Sequence, residues 1–286
     1  MTAQSYQESY LHACQLELHA LKPGNVGYHA DGHGMKVQQF ELSAEVSAKA
    51  LFIEDTSVGE KILNAVQATH DHVGDNTNLG IILLIAPIVH ALIEFSSHES
   101  LEGNLQQVLK DLTIDDAINC YRAINIAAPG GMGEVEDGDL SQVPKVTLLE
   151  AMNLAAKRDQ IAQEYISNYH NILHHNLDVF INYLERWESA EWATTAVYLS
   201  QLLRHPDSLI IRKKGLLKAR EISDMIAPLA DQVLAASDPQ RFKHELLSLD
   251  GQLKTTGINP GTTADITVAT LFVAKLDLVK EGGQSE

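Results

Sequence analysis

The sequence predicts an all-α protein, a compact multi-helix domain built around a hydrophobic central helix. Three observations carry that prediction. Apolar residues recur at spacings of three and four along most of the chain, the period of a single helix face. No stretch of any length alternates apolar with polar residues as a half-buried strand does. Residues 79–86, Leu-Gly-Ile-Ile-Leu-Leu-Ile-Ala, are apolar on every side, the composition of a helix enclosed by other helices.

In chain order, Leu11, Cys14, Leu18 and Leu21 line one face of a helix over 5–21, with Glu17 at the edge of the apolar stripe. The Lys22-Pro23 pair ends it, because a residue before proline is pushed out of the helical region. Residues 22–35, Lys-Pro-Gly-Asn-Val-Gly-Tyr-His-Ala-Asp-Gly-His-Gly-Met, then form a polar, glycine-rich loop that contributes little to a core. Helices follow over 40–52 and 58–72. The polar run Asp75-Asn76-Thr77-Asn78 leads directly into the apolar helix, which Pro87 is expected to kink or divide. Thr113 with Asp116 makes a capping box for a helix through Ala127. An acidic glycine-rich loop occupies 128–139, and 147–203 is helical almost throughout. Residues 207–215 carry the densest basic point, Arg212-Lys213-Lys214, followed by helices over 216–235 and 241–249. The turn Asn259-Pro260-Gly261 opens the last helix, with Thr262 and Asp265 at capping-box spacing. The end of the chain, from about 281 to 286, is expected to fray.

The 286 residues are enough for a sizeable core, and 1–286 is read as one all-helical domain. A formal charge of −17, from 38 acidic and 21 basic residues, argues against nucleic-acid or anionic-membrane partners, which reward a basic face. An acidic protein can still hold a small anion where its few cations and helix N-termini converge. Cys14 and Cys120 both sit in apolar helical patterns and read as buried thiols, not as a disulfide framework. The first residues lack the basic and apolar regions of a signal peptide, and no apolar run reaches the ~18 to 20 residues a membrane span needs, so the expectation is a cytoplasmic protein.

Five polar segments stand out: 22–35, 74–80, 130–139, 207–215 and 259–265. Three adjoin the N-terminus of an apolar helix. Gathered at one face they would supply cations, carboxylates and backbone N–H groups, a combination suited to a phosphorylated substrate bound with a divalent cation.

The same segments, in the same order, resemble the triphosphoribosyl-dephospho-coenzyme A synthase family over nearly the whole chain. Glu17 with Lys22-Pro23-Gly24-Asn25-Val26, then His33 and Met35, is similar to that family's Glu, Lys-Pro-Gly-Leu-Val, His and Met. Asn76-Thr77 with Gly80 resembles its Asn-Thr-His-Lys-Gly, and Gly133-Glu134 with Glu136 its Gly-Glu-x-Glu. Asp207 with Arg212 resembles its Asp-Thr-(x)4-Arg, and Asn259-Pro260-Gly261 with Ala264-Asp265 its Pro-Gly-x-x-Ala-Asp. Gly27 stands where members of the lyase pathway have Asp, Asn78-Leu79 where they have His-Lys, and Lys213-Lys214-Gly215 where they have Gly-Gly, which marks a divergent branch.

The resemblance implies a transferase that moves the 5-triphosphoribosyl group of ATP to a ribose hydroxyl of 3′-dephospho-CoA, or a related acceptor, and releases adenine in cofactor biosynthesis. It further implies Glu17, Asp207 and Asp265 in catalytic roles. Lys22, Gly24, Asn25, His33, Asn76, Thr77, Arg212, Lys213, Asn259, Gly261 and Thr262 would bind phosphate or nucleotide. Glu134 and Glu136 would hold Mg²⁺, and the partners would be small molecules, with an oligomer compatible. Two other classes compete. One is a Mg²⁺-dependent hydrolase like the ADP-ribosyl glycohydrolases, on the Asp75–Asn78 run. The other is a helical metal-binding scaffold using the His170-x3-His174 pair.

Overall fold

The computed structural model describes residues 2–95, 100–128 and 143–282, with side chains described as far as residue 277. Among these residues the protein is all-α, and the only extended pairings are the isolated bridges Gly27–Ala30 and Gly32–Met35. The helices are α1 (Ala3–His19), α2 (Val37–Leu51), α3 (Val58–Val73), α4 (Leu79–Glu94), α5 (Leu101–Asp111), α6 (Ile114–Ala127) and α7 (Leu148–Ala155). There follow α8 (Gln160–Ile166), a π-helical segment (Asn171–Asn176), α9 (Leu177–Trp187), α10 (Ala190–Arg204), α11 (Ser208–Lys214) and α12 (Leu216–Ala235). A 3-10 turn (Pro239–Phe242), α13 (Lys243–Thr255) and α14 (Gly261–Gly282) complete the chain. No helix among the described residues is long and apolar enough to cross a membrane.

The described chain divides into two compact units, each discontinuous in sequence. The first holds Met1–Leu11 and Gln39–His170, the second His12–Gln38 and Asn171–Glu286.

In the first unit α4 is the buried centre, with every residue from Gly80 to Val89 removed from solvent. Its flanks are α3, α5 and α8. Pro87 neither ends nor divides it: the helix runs unbroken from Leu79 to Glu94. A proline has no N–H to offer the carbonyl four residues back, and Leu83 O accepts instead from the Tyr165 hydroxyl at 2.6 Å. Tyr169 donates to the next carbonyl, Leu84 O, at 3.1 Å. The Thr113–Asp116 capping box forms as expected, and Asp116 Oδ1 also accepts from Gly59 N at 2.7 Å, which ties the start of α6 to the start of α3.

The second unit is cored by Leu199 and Leu202 of α10, Ile222, Ile226 and Val233 of α12, and Leu246, Leu249 and Leu253 of α13. Leu21, Ile210, Ile258 and Ala264 join that same cluster. Leu21 and Ile258 adjoin segments 22–35 and 259–265, and Ile210 and Ala264 lie within 207–215 and 259–265, so one core positions all three.

Candidate active site

The loop over 22–35 is held at its backbone. Gly24 has φ +88°, and a Cβ there would lie 2.9 Å from Pro260 Cδ and 3.1 Å from Ile258 O, so both conformation and space demand glycine. Gly24 N donates to Asp250 Oδ1 at 2.8 Å, and Gly24 O accepts from His33 Nε2 at 2.7 Å. Pro23 O accepts from the buried Tyr198 hydroxyl at 2.9 Å. Lys254 on α13 bridges Asp250 Oδ2 at 2.8 Å and Ala30 O at 2.9 Å, and so grips the loop further along.

Lys22 and Glu17 meet inside this arrangement. Lys22 Nζ lies 2.6 Å from Glu17 Oε1, 3.0 Å from Asn25 Oδ1 and 2.8 Å from Val26 O. An ammonium has three donors, and all three are taken within the chain. Burial pushes the Glu17 carboxyl up and the Lys22 ammonium down, and each charge opposes that effect on its partner.

Asn25 extends the network: its Nδ2 donates to Asn259 Oδ1 at 2.9 Å, joining the loop to the turn before α14. Asp207 joins that turn to α11. Wholly buried, its Oδ1 caps α11 through Ile210 N at 3.0 Å, and its Oδ2 accepts from Thr263 N and Thr263 Oγ1, each at 2.8 Å. Burial raises this carboxyl above the usual range, although the donors from Thr263, Ile210 and Leu209 pull the other way. Ser208 Oγ pairs with Thr262 Oγ1 at 3.0 Å. Because α14 begins at Gly261, Thr262 lies in its first turn and not at its cap. Asp265, one turn in, remains half-buried, as does Arg212 in the last turn of α11, while Lys213 and Lys214 are exposed.

Segments 22–35, 207–215 and 259–265 are therefore knitted together in the second unit. They bring in Glu17, Lys22, Gly24, Asn25, His33, Asp207, Arg212, Lys213, Asn259, Gly261, Thr262 and Asp265. Asn76 and Thr77 belong to the first unit. There Asn76 Oδ1 accepts from Leu79 N at 3.3 Å, Thr77 Oγ1 pairs with Ser43 Oγ, and Asn78 Nδ2 donates to Ser43 O and Ser47 Oγ, both at 3.2 Å. Asp75 accepts from Gln39 at 2.7 Å. Glu134 and Glu136 lie outside the described residues. His170 and His174 are exposed, and among the described residues no group of three or more His, Cys, Asp or Glu side chains could hold a metal ion.

Sequence reasoning missed Asp250, Lys254, Tyr198 and Thr263. Asp250 and Lys254 stand four apart on α13, the spacing of an ordinary solvated helix pair. Only the fold shows that both face the loop.

The model of the ATP:dephospho-CoA triphosphoribosyl transferase family matches residues 3–283. A solved structure from Archaeoglobus fulgidus, described as a candidate triphosphoribosyl-dephospho-CoA synthase, shares the fold. Its TM-score is 0.63 at 23% identity, covering 81% of this chain and 96% of that one. No curated protein sequence matches.

Proposed function

This chain belongs to the ATP:dephospho-CoA triphosphoribosyl transferase family, and from that premise we propose how its residues divide the work of the reaction. The enzyme transfers a triphosphoribosyl group from ATP to dephospho-CoA. The bond from C1′ of the ATP ribose to adenine breaks with its electron pair on the base, and a bond from C1′ to an acceptor hydroxyl oxygen forms. The hydroxyl proton leaves to a base, and adenine takes up a proton as it departs. The sugar carbon passes through an oxocarbenium-like state, which a nearby carboxylate stabilises.

One observation supports locating this chemistry in the second unit: three polar segments far apart in sequence are joined there by the Asn25–Asn259, Asp207–Thr263 and Ser208–Thr262 bonds. On this reading Asp265 is the carboxylate that meets the substrate, because it is half-buried whereas Glu17 and Asp207 are enclosed. Glu17 and Asp207 then act by holding the site in shape. Arg212 and Lys213 supply cations to the triphosphate, and the backbone at Gly261 and Thr262 supplies N–H donors, while Gly24 and Asn25, whose N–H groups bond Asp250 and Lys22, shape the loop beside them. Lys22 serves the phosphate site through the loop it fixes. His33 and Asn259 act likewise on loop and turn, and Asn76 and Thr77, within the first unit, are proposed as nucleotide-binding residues.

Mg²⁺ is part of the proposal. Glu134 and Glu136 are hard oxygen donors of the kind it takes, and the ion would offset the negative charge of the triphosphate. The family match spans both units, which supports the whole chain working as one catalytic domain. Dependence on ATP supports a cytoplasmic setting.

The test is direct. Protein, ATP, Mg²⁺ and dephospho-CoA are combined, and adenine and the enlarged acceptor are followed by chromatography and mass spectrometry. Stoichiometric adenine and adduct are expected, with both lost in Asp265→Asn. Adenine or ribose release that is independent of the acceptor would instead favour a hydrolase.

A further inference from the structure

We propose that Tyr28, stacked on His19, is a platform on which the adenine ring of a substrate lies. The proposal rests on the reading above, in which loop 22–35 borders the site. Among the described residues, Tyr28 is the one aromatic in the set of large apolar side chains left exposed, at 42%. It is not a loose surface ring. Its centroid lies 4.3 Å from that of His19 with 26° between the planes. Its backbone N–H donates to Leu18 O at 2.9 Å. The preceding Gly27 comes so close to α1 that a Cβ would sit 2.7 Å from Leu18 O, so only glycine lets the loop deliver the tyrosine here. His29 locks the other side of the turn, its Nε2 bonding to His19 O at 3.0 Å.

An ordered aromatic ring with much of its area open to solvent stacks a planar base without first losing rotamer freedom. Adenine is the one aromatic group in either substrate. It occurs in both, as the leaving base of ATP and as the nucleobase of dephospho-CoA. Stacking is tolerant of what the base is attached to, so the chemistry is common to the two sources. Tyr28 lies three residues beyond Asn25 and four beyond Gly24, whose backbone packs against Pro260. A base on this platform therefore binds next to the segment proposed to meet phosphate.

Tyr28→Leu and Tyr28→Phe variants decide it. Binding of ATP alone and of dephospho-CoA alone is measured by calorimetry, alongside KM for each in the transfer assay. Leucine is expected to weaken one nucleotide about tenfold, with phenylalanine close to wild type and all three proteins melting together. A loss confined to ATP assigns the platform to the leaving adenine, and a loss confined to dephospho-CoA assigns it to the acceptor. Unchanged affinity for both nucleotides, or a phenylalanine variant as weak as leucine, overturns the proposal. If the wild type releases no adenine, the site reading fails on its own, and the calorimetric arm still judges the platform.

Discussion

Lys22 Nζ and Glu17 Oε1 lie 2.6 Å apart, with only 1% and 7% of the two side chains exposed. The pair clasps the residues between the end of α1 and the glycine loop. A lysine in a polar loop suggests a phosphate ligand, but here the charge is spent inside the protein, on Glu17, Asn25 and Val26.

Removing one partner of such a pair leaves the other charge buried alone. Lys22→Met is therefore expected to cost on the order of 3–5 kcal/mol of unfolding free energy, and adding Glu17→Met to recover most of the loss. Chemical denaturation of the two variants measures this. A single variant with wild-type stability and weakened ATP binding would return Lys22 to the role of a direct ligand.

Asp207 and Asp265 are expected to separate by the same logic. Asp207 is wholly buried and accepts hydrogen bonds from Ile210 N, Thr263 N and Thr263 Oγ1. Asparagine there sets an amide N–H₂ against donors and is expected to cost about 2–4 kcal/mol of stability. Asp265→Asn, at a half-buried position, is expected to cost less stability than Asp207→Asn and to lower kcat about 10²–10⁴-fold. Denaturation and turnover measured on both variants check the split. Equal loss of stability in the two would remove the reason for preferring Asp265 as the reacting carboxylate.

What the sequence made legible here is what is local. The Thr113–Asp116 box spans three residues and forms as its spacing implies, and the apolar run from Leu79 is the centre of its unit because its composition leaves no face for water. Asp207 was half legible. Its bond to Ile210 spans three residues, but its bonds to Thr263 span 56, and nothing in either segment names the other. Asp250 was not legible at all, since its partner Gly24 is 226 residues away and its spacing to Lys254 looks like a solvated pair. Carboxylates within the motifs were thus visible in the sequence, and Asp250, which holds loop 22–35 from outside them, was not.

Asp116 sets an expected pH dependence. Burial works against its charge, but donors from Thr113 N at 2.8 Å, Thr113 Oγ1 at 2.7 Å and Gly59 N at 2.7 Å hold its carboxyl below the usual value. With the folded value below the unfolded one, the unfolded chain binds more protons in the interval between them. The stabilisation is complete above the unfolded value and is lost as pH falls through the folded one. Asp116→Asn is expected to be less stable at neutral pH, with its deficit against wild type shrinking on acidification below about pH 4. Unfolding free energies from pH 7 to 2 test this, and a deficit constant across that range would refute it.

The tyrosine beneath Pro87 allows a cleaner test, because the missing group can be put back. Leu83 O has no helical partner, since residue 87 is proline, and it accepts instead from the Tyr165 hydroxyl at 2.6 Å. Tyr165→Phe strands a buried carbonyl and is expected to cost about 1–3 kcal/mol. Pro87→Ala supplies an N–H at the position from which a helix bonds Leu83. In that background the tyrosine is redundant, and Tyr165→Phe is expected to cost much less. A double-mutant cycle on unfolding free energy reads the coupling. If the phenylalanine substitution costs the same with proline and with alanine at 87, the hydroxyl is not substituting for the missing helix bond, and α4 tolerates its proline for another reason.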